Sequence, residues 1–391
     1  MRIGHIKLEN WKNFRSVDVD LPFRVFLIGP NASGKSNLLD AIRFLRDLAS
    51  PGGGLQQAVE IRGGVSKIRC LAARRYSNVT VGASITDERS GDWTYSVSFS
   101  QDPSKRPILK SEQVLRSGKL ILKRPDEADE KDPQRLSQTF LEQINANAAF
   151  REVAEFFQTI LYQHLVPQII RKPEIYGAVS PKNDPYGRDF LERLARTPIK
   201  TCKSRLNKIL YALKAAVPQI ARLEPMKDES GIPHLAGYYS NWRPYAAQQS
   251  EEQFSDGTIR LIGLLWYLFE GDGPLLLEEP ELSLHASIVR QIAQLIYKMQ
   301  RVRKTRRQVI LSTHSADILS DRGIDGRETL LLLPDKEGTK VIPAASIPTI
   351  RNLLEQGQSI AEAALPSTEP ENANQLTLPF HDRLNSDSAG G

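Results

Sequence analysis

Chemistry concentrates in four short stretches of the chain. Gly29-Pro30-Asn31-Ala32-Ser33-Gly34-Lys35-Ser36-Asn37 carries the spacing G-x-x-x-x-G-K-S of a phosphate-binding loop. Gly29 and Gly34 let successive backbone N–H groups turn inward, where a side chain would block a phosphate. Lys35 supplies a mobile positive charge for β- and γ-phosphates, and Ser36 a hydroxyl ligand for Mg²⁺. Leu275-Leu276-Leu277-Glu278-Glu279-Pro280 is an apolar run ending in two carboxylates. Beside a phosphate loop, Glu278 suits Mg²⁺, through water, and Glu279 suits the orienting or deprotonation of an attacking water. The same pair also suits a helix N-terminus, with Pro280 and Ser283 behind it. His314 follows the apolar Val309 to Leu311 and is placed to sense a γ-phosphate by hydrogen bond. Ser255 and Gly257, in Phe254-Ser255-Asp256-Gly257-Thr258, offer donors to a phosphate or, equally, a cap for the helix that follows. They lie too far along the fold to reach the same nucleotide easily, which points to a second subunit.

These groups need strand tips and helix starts to hold them. His5 to Glu9, Val17 to Leu21 and Val25 to Ile28 read as three strands leading into the loop, and Leu38 to Leu45 recur at helical spacing after it. Period-two patterns over Val79 to Ser100 predict an antiparallel hairpin pair, and Leu109 to Lys123 a hairpin turning at Ser117-Gly118-Lys119. Helical patterns cover Phe140 to Leu165, Arg188 to Ala195 and Cys202 to Ala216, with no sustained heptad. Further helices are expected over Ile259 to Phe269 and His285 to Met299. Strands are expected at Pro274 to Leu277, Val309 to Leu311 and Thr329 to Leu333. Strands alternating with helices argue for a mainly parallel, helix-covered sheet.

The 391 residues carry a net charge of +6. From Pro366 onward four acids face one base, so the remaining body holds about +9 and suits a polyanionic partner as well as ordinary solvated surface. Two cysteines, Cys70 and Cys202, form no metal or disulfide pattern. The first residues show no signal core and no apolar run reaches membrane length, so a soluble cytoplasmic protein without a membrane partner is expected.

In order and spacing the four motifs resemble the ABC-type ATPase heads of the RecF, SMC and OLD branch. The nearest likeness is to the short stand-alone AAA-family RecF-like ATPases. Ile6-Lys7-Leu8-Glu9-Asn10-Trp11-Lys12-Asn13-Phe14-Arg15-Ser16 is similar to the first strand and turn of those heads. Ser255-Asp256-Gly257 resembles their degenerate signature, Ser283-Leu284-His285 their D-loop and His314 their switch histidine. The resemblance implies an α/β P-loop NTPase head of ABC type with an antiparallel β subdomain and a mainly helical insert. Residues 1–100 and 250–365 would form the discontinuous head, 101–249 a β-hairpin plus helical insert, and 366–391 a disordered tail.

It also implies ATP and Mg²⁺ as ligands and a homodimer closing over two nucleotides. Ser255 and Gly257 of one subunit would then complete the phosphate loop of the other, with Arg15 near the adenine. The attached activity would act on DNA in repair or phage defence, through a separate effector or nuclease, since too few residues follow His314 for a Toprim domain. Asp256 and Glu278 depart from the transporter pattern, and Gln56 or Gln57 would supply the Q-loop glutamine. The basic run Arg301, Arg303, Lys304, Arg306, Arg307 offers a DNA contact or an exposed helix end. Gln375, Leu376, Leu378 and Phe380 resemble a sliding-clamp-binding peptide. An ATP-locked regulatory scaffold with little turnover is the alternative to a hydrolysing switch.

Overall fold

The computed structural model describes residues 1–72, 78–87, 91–176, 184–240, 247–302 and 306–369. Arg303, Lys304 and the clamp-like peptide at 375–380 lie outside the described residues. An antiparallel sheet comes first: β1 (Arg2–Trp11), β2 (Phe14–Asp20), β4 (Val79–Thr86), β5 (Trp93–Gln101), β6 (Pro107–Arg116) and β7 (Lys119–Arg124), in the order β2-β1-β4-β5-β6-β7. The alternation read in β4 and β5 buries Val79, Val81, Ala83 and Ile85 opposite Phe99, Val97, Tyr95 and Trp93. The β6–β7 hairpin turns at Ser117-Gly118, both at positive φ, as expected. Behind it Arg124 is fully buried and ties Glu112 to Asp129.

The second sheet positions the chemistry. It contains β3 (Arg24–Ile28), β8 (Leu161–Gln163), β12 (Leu275–Glu278), β13 (Val309–Ser312), β14 (Thr329–Asp335) and β15 (Gly338–Pro343), in the order β15-β14-β3-β13-β12-β8. All neighbours are parallel except β14 and β15. β3 is buried on both faces, as an RVFLI run requires. Val25 and Leu27 face the core shared with the antiparallel sheet, and Phe26 and Ile28 face a second core beneath the helix Asp256–Phe269. The phosphate-loop helix Lys35–Ala49 fills the first core with Phe44, whose ring sits 5.2 Å from Trp11 and 5.5 Å from Phe99. A small sheet of β9 (Ile220–Lys227), β10 (Pro233–Tyr239) and β11 (Ala247–Ser250) packs with the helix Ile199–Leu213 over the second core.

Four expectations are corrected. Phe140 to Leu165 is not one helix; only Arg151–Gln158 is. Upstream, Glu112 accepts the amides of Phe140 and Leu141, and Glu142 those of Leu55 and Thr139, so polar side chains satisfy that backbone in place of a helical ladder. Downstream, β8 is drawn onto β12 as a sheet edge. Strands β6, β7 and β8 thus belong to the two main sheets, and a boundary at residue 100 does not follow them. The helix expected over His285 to Met299 is broken into Ala286–Val289 and Ile292–Val302. In the basic run Arg307 is buried, its Nε donating to Gly273 O at 2.7 Å and its Nη1 to Tyr267 O and Glu270 O, so it staples the start of β12. No helix among the described residues is long and apolar enough to cross a membrane.

Candidate nucleotide site

Parallel strands deliver their C-terminal ends to one edge, where ligands gather in open α/β sheets. Here the edge carries Gly29 after β3, Gln163 ending β8, Glu278 ending β12 with Glu279 behind it, and Thr313-His314 after β13. The register sets Glu278 beside Ser312 and Ser312 beside Leu27. Four stretches far apart in the chain therefore meet.

The loop after β3 is tightly held. Gly34 has φ +98°, and a Cβ there would lie 2.2 Å from Asn13 Nδ2; one on Gly29 would lie 2.5 Å from Leu332 O. Asn13 is the clasp: its Nδ2 donates to Ser33 O at 2.7 Å and Thr339 Oγ1 at 2.8 Å, and its Oδ1 accepts from Asn37 Nδ2 at 2.7 Å. Gly34 offers no side-chain cap to the helix Lys35–Ala49. The first-turn amides thus lack both a cap and intrahelical acceptors, and they add to the positive end of the helix dipole. Pro30 is half-buried, Asn31 and Ala32 are exposed at the loop tip, and Ala32 has φ +61°.

Lys35 folds back so that Nζ donates to Gly29 O and Pro30 O, each at 3.0 Å. Burial lowers its pKa to about 8, against the opposing pull of Glu279 and Glu278. Ser36 Oγ donates to one oxygen of Glu278, and Tyr162 Oη donates to the other. Burial, with Glu278 beside it, pushes the Tyr162 hydroxyl well above its ordinary pKa and keeps it a donor. Glu279 has φ +42°, a left-handed conformation uncommon for any residue other than glycine. That turn sets its carboxylate 3.7 Å from His314 Nε2. Burial and the Lys35 charge hold His314 below its usual pKa, with Glu279 opposing them. Glu281 Oε1 accepts from Thr313 Oγ1 at 2.6 Å and from His314 N at 3.4 Å, so it fixes the backbone that carries the histidine.

Ser255 and Gly257 are elsewhere. Ser255 accepts from Thr258 N at 3.2 Å, capping the helix Asp256–Phe269, as the cap reading requires. With Gly257 it lines a cleft of about 350 Å³ together with Ser283, Leu284, His285 and Ala215 to Val217, none of them from the phosphate loop. Arg15, two residues beyond Asn13, is exposed and paired with Glu337. Gln56 is corrected as a Q-loop residue, since its Nε2 is spent on Pro107 O at 2.9 Å and Ser137 O at 2.7 Å. Gln57 lies on the same short helix and lines a separate cleft with Arg46 and Pro51.

Sequence reasoning missed Asn13, Tyr162, Gln163 and Glu281. Gln163 is 1% exposed at the end of β8, and its Oε1 has no hydrogen-bond partner among the described residues. The signal that was available is Leu161-Tyr162-Gln163 itself, a short strand-like run ending in a glutamine. The donor set fits a magnesium-bound triphosphate: uncapped amides and an ammonium for phosphate oxygens, with a hydroxyl and a carboxylate already in contact for the metal.

Known proteins show the same frame. The family model described as "AAA domain, putative AbiEii toxin, Type IV TA system" matches residues 24–321. The DNA replication and repair protein RecF of Chloroflexus aggregans is 46% identical over 52 residues, 13% of this chain and 13% of its own length. RecF of Brucella abortus strain 2308 is 46% identical over 57 residues, 14% of each chain. Both matches are thus local, a small fraction of the curated relatives. Among solved structures, an SMC head bound to the C-terminal winged-helix domain of ScpA superposes with a TM-score of 0.54 at 15% identity, covering 88% of this chain and 97% of that one. An SMC head with an extended coiled coil, bound to a ScpA C-terminal domain derived from Pyrococcus furiosus, gives 0.51 at 14% identity, covering 87% and 96%. At such identities the likeness concerns the fold. The chain belongs to the AAA-domain family of the AbiEii description, and its fold is that of a RecF- and SMC-like ABC-type ATPase head.

Proposed function

We propose that this protein binds ATP with Mg²⁺, hydrolyses it, and works as a dimeric DNA-linked switch or motor in repair or defence, through a separate effector. The observation that carries the reading is the contact between Ser36 and Glu278, 242 positions apart in sequence, beside Lys35 and the Glu279–His314 pair. A P-loop hydroxyl and a strand-tip carboxylate brought together in this way form a Mg²⁺ site on the phosphate side. The bound Mg²⁺–ATP supplies the electrophilic γ-phosphorus.

The chain's own groups do the rest. Lys35 leaves the carbonyl oxygens of Gly29 and Pro30 to neutralise phosphate charge. Glu279, aimed outward by its left-handed backbone, accepts a proton from the attacking water. His314, held neutral at pH 7 by burial and Lys35, donates a single hydrogen bond toward the γ-phosphate. Gln163, whose Oε1 has no hydrogen-bond partner among the described residues, would orient the attacking water from the neighbouring strand tip. Tyr162 keeps Glu278 in place. The separate cleft of Ser255 and Gly257 supports a dimer in which each subunit completes the other's site, with Arg15 beside the adenine.

The RecF relatives are named for DNA replication and repair, and the family description names a toxin of a type IV toxin–antitoxin system. These names support the repair and defence arms of the reading. Steady-state ATP hydrolysis, alone and with linear duplex DNA, tests it beside Glu279→Gln. Turnover that rises with DNA and drops by about 10²- to 10⁴-fold in the variant is the expected result. Negligible turnover in every condition, with ATP bound and a dimer formed, would replace it by the locked scaffold.

A further inference from the structure

Most buried or half-buried arginines of the fold are committed to internal carboxylates. Arg24 pairs with Glu328, Arg62 with Asp40 and Asp47, Arg124 with Glu112 and Asp129, and Arg193 with Asp189 and Glu270. One segment is different. Residues 197–223 hold six basic side chains and no carboxylate. Most of that segment is the helix Ile199–Leu213, which turns Cys202, Leu206, Ile209 and Leu213 into the core. Its outer face carries Lys200, Lys203, Asn207 and Tyr211, with Lys214 just beyond, at steps of three or four that place them in one row. Lys208 stands beside the row. All six are exposed, Tyr211 at 86%. Among the described residues no carboxylate pairs with Lys200, Lys203, Lys208 or Lys214.

We propose that this face grips the phosphate backbone of duplex DNA and passes its occupancy to the Ser255–Gly257 turn. The proposal rests on the ATPase reading above and names the surface through which DNA reaches it. Fifteen helical residues span about 22 Å, the rise of roughly six base pairs. A row of lysines at one-turn intervals with Asn207 and Tyr211 between them supplies ionic and neutral contacts to a sugar–phosphate strand. A protein partner of this face would need an apolar centre, and the row offers only one large apolar group, Tyr211. The charge therefore selects a polyphosphate.

The coupling is built in. The Arg205 guanidinium lies 5.2 Å from the centre of the Trp266 ring, and Lys208 Nζ lies 5.6 Å from that of Phe269. Both rings belong to the helix that Ser255 caps. Just past the lysine helix, Ala215 to Val217 line the same cleft as Ser255, Gly257 and Thr258. Force on the lysine row is thus delivered to the turn that meets nucleotide in the dimer. By contrast, two described members of the Arg301 to Arg307 run make internal contacts, Arg306 4.5 Å from the centre of the Phe23 ring and Arg307 buried with its Nε on Gly273 O.

The test compares full-length protein with the combined variant Lys200→Gln, Lys203→Gln, Lys208→Gln, Lys214→Gln. Binding of a fluorescent 30-base-pair duplex is followed by anisotropy from 50 to 200 mM NaCl, and ATP turnover is measured with and without that duplex. The variant should lower the slope of log affinity against log salt by about 3 to 4, from four lost phosphate contacts. Its DNA-stimulated turnover should vanish while basal turnover stays within about twofold, which also reports that it is folded. A control with Lys110→Gln, Lys119→Gln and Lys123→Gln on β6 and β7 should keep the wild-type slope. An unchanged slope in the helix variant would overturn the surface, and stimulation that survives would overturn the coupling. Wild-type protein that hydrolyses ATP but binds polyglutamate and no duplex would overturn DNA as the partner, yet leave the ATPase reading standing. Absence of turnover in both proteins, with salt-dependent DNA binding lost in the variant, would remove only the ATPase reading.

Discussion

Two long helices begin at functional turns, and they begin differently. The helix Lys35–Ala49 starts from Gly34 at φ +98° with no side-chain cap, while Asp256–Phe269 starts from Ser255, whose hydroxyl already accepts an amide of its own helix. The first terminus keeps its amides for an outside anion, and the loop around it is locked by Asn13 into that open form. The second is satisfied without any ligand, since the Ser255 hydroxyl accepts from Thr258 N at 3.2 Å and is also hydrogen-bonded with Thr258 Oγ1 at 2.8 Å. The first terminus is thus preorganised to bind an anion, and the second is stable without one. A nucleotide would load on the phosphate loop and recruit the capped turn of a partner.

This contrast can be broken from the phosphate-loop side with the largest effect. Lys35→Met should weaken Mg²⁺–ATP binding by about a hundredfold, read by calorimetry, because a charge-assisted bond is lost. An undiminished affinity would mean the loop binds through its amides alone. Raising pH should mimic the change in part. Ligand-free Lys35 loses its proton around pH 8, whereas phosphate favours the charged form, so affinity should fall by up to about tenfold per pH unit above 8. Lys35→Arg should flatten that fall.

Gly34→Ala should cost about 2–3 kcal/mol of stability in a denaturant titration, since the added methyl meets Asn13 at positive φ. The smallest effect sharpens the other half. Ser255→Ala should cost about 1 kcal/mol through loss of the cap and leave monomer ATP affinity unchanged. Ser255→Asp should keep the cap, yet fail in ATP-driven dimerisation like the alanine variant. Dimerisation by Ser255→Asp equal to wild type would show that the turn contributes only a cap.

The glycine loop, the acidic strand and the histidine were legible because each couples an unusual residue spacing to an apolar run that could only be a buried strand. Their meeting at one edge follows from parallel pairing. The hairpin at Ser117-Gly118 was legible because two consecutive positive φ angles need such residues. Local pattern could not reveal β8. Three residues carry no period, and what makes them a strand is the free edge of β12 across more than a hundred positions. Gln163 and Tyr162 were hidden for the same reason. Asn13 was hidden because its value lies in partners at Ser33, Asn37 and Thr339. The lysine helix read as helix, but that no carboxylate among the described residues pairs with its lysines needed the structure.

The order of strands in the central sheet has a consequence for how the protein is made. β3 finds its neighbours only in β13 and β14, some 285 residues later. At ribosomal rates of 5–20 residues per second, that delay is roughly 15–60 s. Throughout it the RVFLI segment is an apolar strand with both edges open, a template for self-association and a target for chaperones. The nucleotide loop therefore acquires its shape only when the final third of the chain emerges, and truncated products should be insoluble before they are inactive.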